Sequence, residues 1–269
     1  MIKSRSNEKL KFVRAIRDGR RDSFIFVEGE KLVGELAAAG LPVSSVFASA
    51  SFAEKPENRG LLDRCCGSSE IFIVADQVFS SIADTRTPQG IVAVAERPAD
   101  SLETIAERLL DRKSVLPLAV FLDRVNDPVN LGAIVRTAEA AGAAGVITSI
   151  GSADAFSPKS LRGSMGSLFR LPVAEGIAVD DLVAFARGVN AAISATGPGK
   201  GTPHTDLDWT KPRVLAFGSE SHGVSDELLS VSGETITIDI CSPVESLNLA
   251  VSCGVILFHA RSVRLHRRL

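Results

Sequence analysis

From residue 116 onward, short apolar runs and longer amphipathic stretches take turns along the chain. The apolar runs predict strands over 118–122, 145–148, 170–173, 191–195, 214–217 and 235–240, the last with a period-two alternation. Helical spacing of apolar positions predicts helices over 130–141, 158–163, 180–187, 227–230 and 247–264. Strand and helix alternating across short connections predict an α/β fold with a mostly parallel sheet covered on both faces.

The first 96 residues carry a second, smaller pattern. Ser6 or Asn7 can cap a helix with Leu10, Val13 and Ile16 on one face, ended by Asp18-Gly19. Strands are predicted over 24–27, 43–48, 71–74 and 90–95. Between them lie a helix closing at Gly40, one containing Leu61-Leu62, one over 77–82, and a polar loop over 84–90. This predicts a small α/β domain. Composition shifts at Arg97-Pro98-Ala99-Asp100, and 101–112 is amphipathic. The expected organisation is a domain over 1–96, a partly helical linker over 97–114 and a second domain over 115–269.

Composition narrows the classes. Of 269 residues, 45% are apolar, enough for a real core. No apolar run approaches the roughly 18 residues of a membrane span, and the N-terminus lacks the apolar segment of a secretory signal. A cytoplasmic protein without membrane association is expected. Cys65, Cys66, Cys241 and Cys253, with the four histidines, show no metal-ligand spacing, so no metal site is expected. A net charge of −2 argues against a protein that coats nucleic acid by bulk charge. Locally the picture differs: Lys3, Arg5, Lys9, Lys11, Arg14, Arg17, Arg20 and Arg21 crowd the N-terminus, and Arg261, Arg264, Arg267 and Arg268 the C-terminus.

The common nucleotide motifs are missing. The strand over 118–122 runs into DRVNDPVNLG without a glycine triplet, and Gly197-Pro198-Gly199-Lys200-Gly201 lacks the spacing of a phosphate loop. In Gly218-Ser219-Glu220-Ser221-His222-Gly223 the glycines enclose four residues, so it is not a nucleophile elbow. Three polar clusters at element ends do stand out. Asn130-x-Gly132-x-x-x-Arg136 opens a helix. Asn130 is placed as its cap, and Arg136 lies within about 60° of it around the axis. Gly218-Ser219-Glu220-x-x-Gly223 follows a strand, and Pro243-x-x-Ser246-Leu247-Asn248 precedes the last helix. Ligands of parallel α/β sheets lie beyond such strand ends.

These clusters sit in DPVNLGAIVRTAEAAG at 127–142, AFGSESHGVS at 216–225 and ITIDICSPVESLNLAVS at 236–252. In order and spacing they resemble the SpoU (TrmH-type) branch of the SPOUT RNA 2′-O-ribose methyltransferases, as does SPKSLRGSMGSLFRLPV at 157–173. SRSNEKLKFVRAI and FIFVEGEKLV are similar to the substrate-binding domain often fused ahead of it, related to kink-turn-binding ribosomal proteins. The resemblance implies a trefoil knot in the C-terminal domain, where general topology rules steer away from knots. It implies S-adenosyl-L-methionine held by backbone groups of Thr196, Gly197, Gly218, Ile238 and Leu247. It implies methyl transfer to a ribose 2′-hydroxyl, with Arg136, Asn130, Glu220, Ser246 and Asn248 forming the catalytic pocket. Arg136 would grip RNA and polarise the hydroxyl, since a charged guanidinium has no acceptor atom; the general base stays open. RNA contacts would come from Arg14, Arg17, Lys159 and Arg162. A homodimer is implied, with Leu247, Val251, Val255 and Phe258 as its apolar stripe. Ribosomal RNA is favoured over transfer RNA; a non-catalytic ribosome-associated RNA-binding dimer is the reading from another class.

Overall fold

The computed structural model describes residues 1–66, 69–111, 116–199 and 201–266. They form two compact units, residues 1–98 with 156–169, and 99–155 with 170–269.

In the first unit, strands β1 (Phe24–Glu28), β2 (Val43–Ser49), β3 (Glu70–Val74) and β4 (Ile91–Glu96) form one sheet in the order β1-β4-β2-β3. β4 runs antiparallel to both neighbours, and β2 and β3 are parallel. Helix Glu8–Arg17 buries Leu10, Val13 and Ile16 among Phe26, Phe47, Val92 and Val94. Each such side chain taken wholly from water contributes about 1.5–3 kcal/mol. Asn7 is its cap, accepting the Lys9 N–H at 3.0 Å. Helix Glu30–Ala39 ends at Gly40, left-handed at φ 72°. The helix expected over 77–82 is only Asp76–Phe79, continued as turns. The polar loop over 84–90 is pinned from beneath. The buried Glu28 carboxylate accepts the N–H groups of Asp84 (2.8 Å) and Thr85 (3.1 Å) and the Thr85 hydroxyl (2.5 Å). A buried acid is tolerated only with such partners. Helix Pro158–Ser164, capped by Ser157, packs beside β1 in this unit.

The second unit holds β5 (Leu118–Asp123), β6 (Gly145–Ser149), β7 (Val173–Ile177), β8 (Ala192–Thr196), β9 (Thr202–Pro203), β10 (Arg213–Gly218) and β11 (Glu234–Thr237). Their order is β7-β6-β5-β10-β8-β11-β9, and every neighbouring pair is parallel. Every residue of β5, β6 and β10 is buried, as expected for strands covered on both faces. Helix Leu102–Leu110 adds Ile105 and Leu109 to a core shared with Phe121, Ile147, Leu182 and Val214. The chain lays down β5, β6 and β7 outward, then places β10 between β5 and β8. Strand direction of travel thus reverses at the β5–β10 pair, which is where α/β sheets bind ligands.

Several boundaries differ from expectation. The strand expected over 170–173 starts at Val173, because Pro172 has no N–H to give a ladder. β11 stops at Thr237, so Ile238 lies past its end: its partner β9 is only two residues long and ends at Pro203. β9 itself was not foreseen. The last helix is Leu249–His266 rather than starting at 247, because Asn248 caps it. Asn130 is not a cap: Asp127 accepts the Val129 N–H at 2.9 Å, and Pro128 opens the helix Pro128–Ala141. Lys200 lies outside the described residues.

Candidate functional site

β5, β10, β8 and β11 are adjacent and parallel, so their C-terminal ends and the loops after them fall side by side. Because the cap role falls to Asp127, the Asn130 amide is free to reach outward. Its Nδ2 donates to a Glu220 carboxylate oxygen, ninety residues away in sequence. Asn248 Nδ2 donates to Asn130 Oδ1 at 3.3 Å, across 118 residues. Asn248 Oδ1 accepts the N–H groups of Ala250 (2.9 Å) and Val251 (3.2 Å), which orients its amide. The result is a directed chain, Asn248 to Asn130 to Glu220, ending on the carboxylate. Each bond polarises the next.

The main chain is shaped for close approach. Gly218 closes β10, and a Cβ there would lie 1.9 Å from the carbonyl carbon of Gly223. The loop therefore doubles back directly over it, tied by the Gly223 N–H to the Ser219 carbonyl at 2.9 Å. At the end of β8 the Gly197 N–H donates to the Ile236 carbonyl at 3.1 Å, and the Thr196 hydroxyl to the Ala216 carbonyl at 3.0 Å. Beyond these ends lies a cleft of about 650 Å³ walled by Pro198, Gly199, His204, Ile238, Ile240 and Val244, among others. Of the five residues expected to contact a cofactor, Ile238 lines it, and Thr196 and Gly197 lead straight into its wall. Gly218 and Leu247 lie outside the lining.

The remaining expected residues divide. Arg136 and Ser246 are exposed and their side chains make no hydrogen bond or ion pair among the described residues, so they stay outside the amide chain. Arg14 donates to the Arg5 carbonyl (2.8 Å), and Arg17 to the carbonyls of Ser81 (3.2 Å) and Ala83 (3.0 Å) and pairs with Asp18. Arg162 pairs with Asp84 at 2.8 Å. These three hold their own unit together; Lys159 is exposed. Ser221 Oγ and His222 Nδ1 meet at 2.7 Å on an exposed loop tip, as neighbours in sequence do. Among the described residues no three His, Cys, Asp or Glu side chains gather as metal ligands. No described helix is long and apolar enough to cross a membrane.

Known proteins share this fold. Residues 117–258 match the model of the SpoU rRNA Methylase family. The chain belongs to the SpoU rRNA methylase family. Residues 7–93 match the MRM3-like substrate binding domain. The chain is 31% identical over 266 residues to the Bacillus subtilis 23S rRNA (guanosine(2553)-2′-O)-methyltransferase RlmP, covering 97% of this chain and 98% of that one. A Sinorhizobium meliloti rRNA methyltransferase crystallised with AdoMet superposes with a TM-score of 0.83 at 30% identity, over 97% of both chains. The SpoU methyltransferase AviRb of Streptomyces viridochromogenes, in complex with AdoMet, gives 0.83 at 29% identity, over 96% of this chain and 98% of that one.

The SpoU motifs drew attention to Asn130, Glu220 and Asn248, which the fold unites. They did not reveal Asp123, the buried last residue of β5, nor the His204 and Ile240 walls of the cleft. An acid closing an apolar run was the visible signal for Asp123. His204 offered none, since β9, which delivers it, is too short to show a period.

Proposed function

We propose that this SpoU-family chain transfers a methyl group from S-adenosyl-L-methionine to a ribose 2′-hydroxyl of ribosomal RNA. One observation carries the reading: Asn130, Glu220 and Asn248 meet in one hydrogen-bonded chain, in a unit whose cleft opens past the ends of β8 and β11. A relative matched over 98% of its length, and named as a 23S rRNA 2′-O-methyltransferase, supplies the substrate class. The N-terminal match to a substrate binding domain supports ribosomal over transfer RNA.

The residues present fit the cofactor. A cleft of about 650 Å³ lies within the usual range for small-molecule sites, roughly 300–1,000 Å³. Ile238, Ile240 and Val244 offer apolar faces for an adenine ring. Backbone groups at Ile238, and at Thr196 and Gly197 leading into the wall, offer its polar contacts there; Gly218 and Leu247, outside that lining, are assigned to the same ligand. When bound, S-adenosylmethionine supplies an electrophilic methyl group on a sulfonium. The protein's part is to place the acceptor in line and ease loss of its proton. Arg136, whose guanidinium offers donors and no acceptor, grips the RNA backbone and polarises the 2′-hydroxyl; Ser246 orients the ribose. Asn130, itself bonded by Asn248, holds Glu220, whose carboxylate is assigned to face the cationic donor. Lys159 meets phosphate, while Arg14, Arg17 and Arg162 shape the RNA-facing surface through the loop contacts they make. RNA affinity then falls as salt rises.

Two further features belong to this reading. The C-terminal segment threads as a trefoil knot, consistent with β10 lying between β5 and β8 and with the last helix packing on helix Pro128–Ala141. Two copies pair through the last helix, whose Val251, Val255 and Phe258 are exposed. By its likeness to a Bacillus subtilis rRNA methyltransferase, the protein is assigned to the cytoplasm.

The test uses labelled S-adenosylmethionine and ribosomal RNA, with calorimetry alongside. The parent chain is expected to bind the donor and label the RNA at one 2′-oxygen. Arg136→Ala should bind the donor within about twofold of the parent yet label RNA at least about 100-fold more slowly. Full labelling by Arg136→Ala removes that residue from the chemistry. A parent that gives neither heat nor label would overturn the function.

A further inference from the structure

We infer that Asp123 is a positioning residue for the site: its buried carboxylate clamps the 219–225 loop so that Glu220 stays bonded to Asn130. The activity part of this inference rests on the methyl-transfer reading above.

Asp123 ends β5 in register with Gly218, the last residue of β10. Its side chain is 3% exposed. Two groups meet it. The Ser225 N–H donates to Oδ2 at 2.8 Å, across 102 residues. The half-exposed Arg124 guanidinium stands 3.4 Å from Oδ1. Arg124 is held there by a left-handed backbone, φ 54°, and by its N–H on Ser149 Oγ at 2.8 Å. A carboxylate this desolvated is costly without partners, so the Ser225 bond is a firm one.

The clamp has leverage because of what surrounds it. The loop leaves β10 at Gly218 and returns over it within van der Waals distance at Gly223. Ser225 then caps helix Asp226–Val231 through its own hydroxyl, on the Leu228 N–H. Asp123 thus holds the returning end of a doubled loop whose tip carries Glu220. Val224 packs beside it in the buried core, so release of Ser225 loosens that end, and the tip carrying Glu220 loses its fixed place against Asn130. Among the described residues the Asp123 side chain makes no hydrogen bond to Asn130 or Asn248, so its effect passes through the loop.

Asp123→Ala, Asp123→Asn and Glu220→Ala, singly and combined, test this under steady-state methylation of ribosomal RNA. Asp123→Ala is expected to lower kcat about 10- to 100-fold, with KM for RNA within about twofold. Asp123→Asn, whose Oδ1 can accept the same N–H, should stay within about threefold of the parent. The Asp123→Ala/Glu220→Ala double variant should be no more than about twofold slower than Glu220→Ala alone, because the two act as one unit. Full activity in Asp123→Ala, additive losses, or an Asp123→Asn variant as slow as Asp123→Ala each overturn the assignment. Should Asp123→Ala not fold, amide exchange in the parent chain decides. Ser225 should exchange at least about tenfold more slowly than Ser221 and His222, and equal rates overturn the clamp. A parent without methyl transfer sinks the methyltransferase reading, while the exchange data still judge the clamp.

Discussion

At Gly218 a single added methyl group decides the site. Its Cβ would lie 1.9 Å from one backbone atom of Gly223 and 2.1 Å from the next. Backbone cannot yield as a flexible side chain can, so the loop must lift. Gly218→Ala is expected to cost about 2–4 kcal/mol of stability by urea unfolding and at least tenfold in S-adenosylmethionine affinity by calorimetry. Gly188 is the contrast: it closes helix Val179–Gly188 and a Cβ there meets nothing within 4 Å. Gly188→Ala should bind the donor like the parent and be slightly more stable. Both are glycines at element ends in the sequence, which does not distinguish them. Asn130 makes the same point. Its position before a helix reads as a cap, yet Asp127 takes that role and leaves the amide for Glu220 and Asn248.

The last helix shows what an element adds. Leu249–His266 buries Cys253, Ile256, Leu257 and Ala260, a spacing plain in the sequence. It also carries His259 against His204, rings 5.0 Å apart and edge to face. His259 Nε2 and His204 Nδ1 are both shut from solvent without a hydrogen-bond partner. Burial, and then the neighbouring His204, hold the His259 imidazole below its ordinary titration range. The sign follows. The folded chain keeps His259 neutral, while the unfolded chain protonates near its usual value of about 6.5. Stability from this packing is therefore present above that pH and lost as pH falls through the lower folded value. The melting temperature of the parent should drop between pH 7.5 and 5.5 by roughly 2 °C more than that of His259→Phe. Equal drops in scanning calorimetry would mean that the pair carries no pH dependence. The encounter was not legible beforehand, because His204 arrives through β9 and a short turn with no period of their own.

For the whole molecule, the open question is what covers the other side of that helix. Val251, Val255 and Phe258 fall on one stripe and are 53%, 38% and 48% exposed, with Leu247 at 36% just before it. They are not core residues of this chain, which leaves a second copy as the expected cover. Sedimentation should give twice the chain mass of 28.4 kDa. Val255→Glu/Phe258→Glu should sediment as a monomer and lose RNA methylation while keeping its helical circular dichroism. A monomeric, fully active parent would exclude the paired reading. The sequence alone marked most of the elements, the mostly parallel sheet and the three polar clusters. Period and turn chemistry act over a few residues, so they survive in one dimension. Only the tertiary structure decided that β10 enters between β5 and β8, that 156–169 packs with the leading unit, and that Arg14, Arg17 and Arg162 bond inward. A residue's type sets what its side chain can donate or accept. Which partner stands within reach is set by strand order and packing, and here those partners lie up to 118 residues away.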